Sequence, residues 1–218
     1  VYLFTAEGQT TKLFKVDLRN LKDATLGFGV YLDKMVSVTG TYSSGTDLTT
    51  LTSPYGAKTG LMAVDKTDGT DYALTNTTGS TYTLVGNHTS LWIGTPYESK
   101  YTLSQQYVRE NTGRGLLAVT TGRYQIRNIA LTYENSGFFI AEVTPENRST
   151  STTVMNGLVL GTSGSVIGAP ALHSGTIKVP IQCRNTDFTF DIKSSSHLPI
   201  YVASAEVEGY YHNRANRI

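Results

Sequence analysis

The stretch Val30-Tyr31-Leu32-Asp33-Lys34-Met35-Val36-Ser37-Val38-Thr39-Gly40-Thr41-Tyr42 carries the pattern that decides the fold. In an extended chain Val36, Val38 and Gly40 fall on one side, and Met35, Ser37 and Thr39 on the other. Alternation of period two marks a strand with one face buried. The pattern predicts one long strand over Val30–Tyr42, closed by a turn at Ser43–Thr46.

The same period recurs on both sides. Val1–Thr5 and Thr11–Asp17 flank a turn at Glu7-Gly8-Gln9. Asn20–Ala24 reads as a loop or a short helical turn. Leu48–Thr52, Thr81–Val85 and Leu91–Ile93 are further short strands. Leu61–Val64 and Tyr72–Asn76 flank Asp65–Asp71, a hairpin loop signalled by Asp68-Gly69. After Gly94-Thr95-Pro96 the predicted strands lengthen: Tyr97–Tyr107, Leu116–Thr121, Gly122–Tyr133, Phe138–Val143, Ser151–Leu160, Gly175–Gln182, Asp187–Ile192 and Tyr201–Tyr211. Helix is a weaker alternative for Leu103–Glu110. Loops separate the strands at Asn111–Gly115, Pro145–Thr150 and Gly161–Pro170.

Composition agrees with an all-β chain. Of 218 residues, 33 are Thr, 14 Tyr and 21 Gly. Thr and Tyr suit pleated, half-buried surfaces, and Gly marks turns. The expected fold is antiparallel β-sandwich or barrel modules with little helix. The expected division is 1–29, with strands completing a sheet of a preceding part; 30–95, a small barrel or sandwich; and 96–218, a larger sandwich. The chain opens at Val1 directly in a strand-like run and reads as a piece of a longer polypeptide.

Charge and cysteine usage narrow the function. Net charge is +1, so no strong global field recruits nucleic acid or an anionic membrane. Seven of nine Lys lie at or before Lys100 and eight of nine Arg after it, with little net charge on either side. The single cysteine, Cys183, allows no internal disulfide and no CxxC motif, and reads as a half-buried strand residue. No run reaches the ~18 apolar residues that would span a bilayer.

Several constellations invite chemistry, and each has a structural alternative. Glu206 and Glu208 flank Val207, so on a strand they share a face about 6–7 Å apart. Paired carboxylates suit glycoside hydrolysis, but these lie on one strand without an aromatic subsite. Ion pairs with arginines such as Arg214 or Arg217 are favoured. Arg123 and Arg127 share a face around Gln125. They could meet DNA phosphates, although an ion-pair face between subunits is the favoured reading. Asp65, Asp68 and Asp71 lack the spacing of a calcium loop and fit a hairpin turn, with a weak calcium site as the alternative. His88, His173, His197 and His212 have no metal-ligand spacing. Gly161-Thr162-Ser163-Gly164-Ser165 is a flexible loop and no nucleophile elbow. No catalytic, metal or cofactor-binding residue is expected.

A string of motifs resembles a known family. Gly94–Ser104 with Gln105–Glu110 resembles a G-x-x-Y-E-x-x-Y-x-x-S…R-E strand. Gly122-Arg123-Tyr124-Gln125-Ile126-Arg127 is similar to G-R-x-Q-L-R, followed by Ser136-Gly137-Phe138-Phe139. Tyr31–Tyr42 resembles x-L-D-R-x-V-x-V-T-G-x-Y. The ending, His197-Leu198-Pro199, Ser204–Tyr211 and Arg214–Ile218, resembles L-P-x…S-A-E-W-E-G-x-Y…R-S-x-R-I. The chain departs from the pattern at Val207, where an aromatic is expected. Together these look like the C-terminal part of tail tubular protein B, the nozzle of short-tailed phages.

The resemblance implies a structural subunit of the virion tail and no enzyme. It implies a homohexameric nozzle, attached to the tail tubular protein A ring and to tail fibre protein, that passes phage DNA at the host cell surface. Glu98, Arg109, Glu110, Arg123, Arg127, Glu206, Glu208, Arg214 and Arg217 become candidates for assembly contacts. The alternative is a virion-associated carbohydrate-binding or polysaccharide-degrading β-protein.

Overall fold

The computed structural model describes the chain except residues 1, 8–9, 16–21, 114, 121, 159–168 and 213–218; for 2–7, 10–15 and 112 it describes the backbone only. Every regular element among the described residues is a strand, paired antiparallel. The chain divides into two compact units. The first comprises Val1–Tyr97, Ile167–Pro170 and His197–Pro199; the second comprises Glu98–Val166, Ala171–Ser196 and Ile200–Ile218.

The first unit contains β1 (Tyr2–Glu7), β2 (Thr10–Lys15), β3 (Asp33–Thr39), β4 (Thr41–Ser43), β5 (Leu48–Thr52), β6 (Met62–Asp65), β7 (Asp71–Ala73), β8 (Thr75–Thr78), β9 (Thr81–Val85) and β10 (Ser90–Thr95). β1 and β2 form a hairpin. The others form two four-stranded sheets, β3-β10-β6-β7 and β4-β5-β9-β8. Leu51, Tyr82 and Leu84 from one sheet and Ala63, Leu91 and Ile93 from the other are buried in one cluster. The Tyr82 hydroxyl sits in this apolar layer fully bonded: it donates to the Lys58 carbonyl at 2.7 Å and accepts from the Lys58 amide at 2.6 Å. A buried hydroxyl needs such partners.

The single strand expected over Val30–Tyr42 is two strands in different sheets. The alternation of Val36 and Val38 against Met35, Ser37 and Thr39 holds through β3. The chain then turns a corner at Gly40 and continues as β4. A side chain at Gly40 would run into the Thr49 methyl and lie 2.7 Å from the His88 carbonyl oxygen. Glycine therefore permits the close approach at which a strand changes sheets. Leu74 marks a second such corner, between β7 and β8.

The abundance of Thr has a location. Thr41, Thr50, Thr83 and Thr75 pair in one row across β4-β5-β9-β8, while Leu51, Tyr82 and Leu84 alternate to the buried side. β-Branched hydroxyl side chains suit an outward face of this kind.

The second unit contains β11 (Ser99–Thr102), β12 (Arg109–Thr112), β13 (Gly115–Ala118), β14 (Arg123–Ser136), β15 (Phe138–Pro145), β16 (Ser151–Asn156), β17 (His173–Arg184), β18 (Phe188–Ser194) and β19 (Val202–His212). Two sheets, β11-β18-β15-β16 and β17-β14-β19, enclose Ile126, Ile129, Leu131, Phe139, Val179 and Phe190. β12 and β13 make a separate hairpin. The strand expected over Tyr97–Tyr107 is shorter, ending at Thr102. Residues 103–108 are irregular, and the Gln106 carbonyl accepts from the Asn185 side-chain amide at 2.8 Å.

A bulge interrupts β14 near its start. Its pairing shifts between Ile126 and Asn128 against both neighbours. Before the slip, Tyr124 and Ile126 point inward; after it, Ile129, Leu131 and Tyr133 do. A one-residue slip exchanges the faces of a strand. On β17 the opposing residue, Gln182, takes a left-handed φ of 52°.

Candidate functional site

The outer face of β17-β14-β19 gathers four of the charged residues singled out in the sequence: Arg123, Arg127, Glu206 and Glu208. All four are exposed. β17 alternates strictly, so Thr176, Lys178, Pro180, Gln182 and Arg184 point outward and Val179, Ile181 and Cys183 inward.

Register determines who meets whom. Glu208 lies opposite Asn128, and Glu206 opposite Ala130. Lys178 donates to Glu208 Oε1 at 3.0 Å, and the Asn128 side-chain amide donates to Oε2 at 3.2 Å. The Lys178 bond, with Asn128 and the nearby Arg127 charge, holds the Glu208 carboxyl below the usual carboxylate range. The pairing expected for these glutamates thus exists at Glu208, but the principal cation is Lys178. The arginines named for it, Arg214 and Arg217, lie outside the described residues. Arg123 donates to the Gln125 side-chain oxygen at 3.1 Å. Thr132 and Thr176 oxygens are 3.2 Å apart further along the face.

Val207 is half-buried and packs against the core of its own unit, opposite Ile129. Its departure from the expected aromatic therefore changes internal packing and leaves the outer face alone.

The other candidates lie elsewhere. Glu98 is exposed just before β11. Arg109 and Glu110 are exposed on the β12–β13 hairpin. Close to Glu98, Lys193 donates to Glu142 at 2.5 Å, and this bond raises the Lys193 pKa. Lys100 reaches the buried Asp191 at 2.9 Å.

Sequence reasoning missed one cluster. Arg148 donates to the carbonyl oxygens of Gln182 at 3.0 Å and Ile181 at 3.3 Å, and touches the Cys183 sulfur. It therefore clamps the β17 side of the bulge. Arg148 lines two adjoining hollows of about 340 and 410 Å³, the larger also bordered by Arg123 and Arg184. Nothing in the loop Pro145–Thr150 announces this, because the partners of Arg148 are 33 to 35 residues away.

The acidic run Asp65–Asp71 is a turn, as expected, and Asp65 and Asp68 bond its backbone amides. Asp65 Oδ2 lies 2.6 Å from His88 Nδ1, and Oδ1 accepts from the Thr67 amide at 2.7 Å. Burial would raise the Asp65 pKa, but the Thr67 amide and His88 reverse this and leave it lowered. Asp68 accepts from the Thr70 amide at 2.8 Å. Gly69, at φ 80°, lies against the Phe28 ring. Among the described residues, no group of three or more His, Cys, Asp and Glu is placed to hold a metal ion.

The site is therefore an open, polar sheet face with a cleft bordered by Arg123, Arg148 and Arg184 and by Glu146 and Asp187. A surface of this shape can meet another macromolecule. No curated protein matches the chain. The family model described as bacteriophage nozzle protein matches residues 1–218, the whole of it. The chain thus belongs to the bacteriophage nozzle protein family and is a structural component of the virion tail.

Proposed function

We propose that the chain is a wall-forming subunit of the distal tail tube. It assembles as a homohexamer, joins the tail tubular protein A ring above and the tail fibre protein at its side, and lets phage DNA pass at the host cell surface. The family match over all 218 residues carries this reading. The exposed outer face of β17-β14-β19 in the second unit is the surface to which this reading assigns contacts between subunits. Glu98, Arg109, Glu110, Arg123, Arg127, Glu206, Glu208, Arg214 and Arg217 are the proposed contact residues. A net charge of +1 also suits a conduit, since each cation on a phosphate retards DNA.

The chain is read as non-enzymatic. A glycosidase needs one carboxyl raised in pKa to act as acid. Glu208 is shifted the other way, by Lys178. Electron cryomicroscopy of intact virions tests the tube reading. The expected result is six copies of this chain around the channel at the tail tip; a different position or symmetry sinks it.

A further inference from the structure

The three-stranded sheet β17-β14-β19 ends on two bare edges. β14 lies between the others, and among the described residues neither outer strand bonds a further strand. β17 is 12 residues long and β19 is 11. Edges of that length are templates for another strand unless something blunts them.

Pro180 fixes which backbone groups face outward. It has no N–H to give, and it stands opposite Asn128. The pairs that exchange bonds with β14 are therefore Ile129 with Val179 and Leu131 with Ile177. Thr176 and Lys178 turn their amides and carbonyls to the free edge of β17. On its other side β14 bonds Glu206 and Glu208, so Ala205 and Val207 turn theirs to the free edge of β19. The Glu134 amide follows the same phase and donates to the Tyr201 carbonyl at 2.9 Å. From Pro180 onward β17 is blunted, because Pro180 offers no amide and Arg148 takes the Gln182 carbonyl. Its open stretch is residues 175–179.

Charge tells the two edges apart. The outward side chains of β19 include Glu206 and Glu208, and those of β17 include Lys178 and Arg184 but no acid. Glu208 is held by Lys178 of its own chain. Glu206 is exposed and has no hydrogen-bond or ion-pair partner among the described residues. A β19 edge set against a second β19 would bring carboxylates onto carboxylates. Set against β17, it brings them onto Lys178.

We propose that the free edge of β19 in one copy pairs with the free edge of β17 in a second copy, so that the sheet runs on from chain to chain. β17 and β19 both run against β14, hence alike, and copies repeated by rotation about an axis along the strands pair in parallel. In a parallel ladder a residue bonds both neighbours of the residue it faces. Lys178 of the second copy faces Glu206; its amide donates to the Ala205 carbonyl and its carbonyl accepts from the Val207 amide. Thr176 then faces Ser204, and outward side chains stay outward. The two edges differ, so the contact is heterologous, and a ring of such copies closes without a free edge. The inference rests on the reading of the chain as a self-assembling tail subunit and names the surfaces that would do it.

Cross-linking between two variants of the full chain tests the register. A Thr176→Cys chain is mixed with a Ser204→Cys chain and oxidised. Both positions are exposed, whereas the native Cys183 is buried and stays unreacted. The expected product is a disulfide-linked pair containing one chain of each kind. Pairs of Ser204→Cys chains alone would mean that β19 pairs with itself and would overturn the proposal, as would no cross-link at any concentration.

Sedimentation reads the edge itself. Ala205→Pro removes an amide that the chain's own ladder does not use. It should weaken self-association tenfold or more and leave the melting temperature close to the native one. Glu206→Lys should weaken association likewise, and mixing it with Lys178→Glu should restore it. Unaltered association of both Ala205→Pro and Glu206→Lys overturns the proposal. A sixfold ring in virions without the cross-link removes this contact and leaves the tube reading intact; a cross-link without a tail-tip ring does the reverse.

Discussion

His197 Nε2 lies 2.8 Å from the carbonyl oxygen of Gly69, across 128 residues of sequence. The carbonyl only accepts, so Nε2 carries a proton. Burial lowers the His197 pKa; the Gly69 bond and Asp71, 4.0 Å from Nδ1, oppose the shift without reversing it. The unfolded chain therefore takes up the second ring proton at a higher pH than the native one. Stability should fall as pH drops from the ordinary imidazole value of about 6.5 towards the lower native value. Thermal melts at pH 7 and pH 5 should show a decrease. His197→Gln, whose amide can still donate to Gly69, should shrink that decrease.

A second acid-sensitive element lies lower on the pH scale. Burial would raise the Asp191 pKa, but bonds from Thr102 Oγ1 at 2.5 Å and from Lys100 lower it overall. Its stabilisation is present above the ordinary carboxylate value of about 4 and is lost as pH falls through the native value. Asp191→Asn should cost ~1–3 kcal/mol at pH 7 in urea unfolding and flatten the acid limb. Lys100→Ala should cost less, about 1 kcal/mol at most, because the lysine is half exposed.

Packing predicts the largest losses. Phe139 is fully buried at the centre of the second core and meets the Tyr133 ring edge-on at 5.5 Å between centroids. Phe139→Ala should cost about 3–5 kcal/mol in denaturant unfolding. A cost under about 1 kcal/mol would contradict the described core.

The corner at Gly40 makes an opposite steric prediction. Adding a methyl there forces the Thr49 side chain or the His88 carbonyl to move. Gly40→Ala should cost roughly 1–3 kcal/mol, as overpacking does. The same change at Gly45, where nothing stands within 4 Å, should be mild. Equal melting temperatures for the two variants would dispose of the corner account.

The glutamate pair gives a functional test. Neither Glu206→Gln nor Glu208→Gln should change reducing-sugar release from capsular or lipopolysaccharide substrates, because none is expected from the native chain. Release that vanishes in either variant would revive the polysaccharide-degrading alternative.

Period-two alternation made most strands legible, including β3 and β17, because one buried face imposes it on every residue. Gly40 was not legible as a corner: glycine in an alternating run looks the same whether the strand continues or changes sheets. The partner of Glu208 escaped because register decides it, and the bulge at Arg127 sets that register. Arg148 escaped for a related reason, since its partners are carbonyls, which every residue possesses. The family resemblance was legible because it rests on residue order, which needs no register.

The place of His197 has a consequence for synthesis. The turn at Gly69 leaves the ribosome well before His197 does. At about 5–20 residues per second, several seconds pass before its proton donor exists. During that interval the first unit has most of its sheets but not the group that occupies the Gly69 carbonyl. Completion of the earlier unit thus waits on nearly the whole chain, and a chain broken off before His197 leaves a polar atom bare that the finished protein keeps from water.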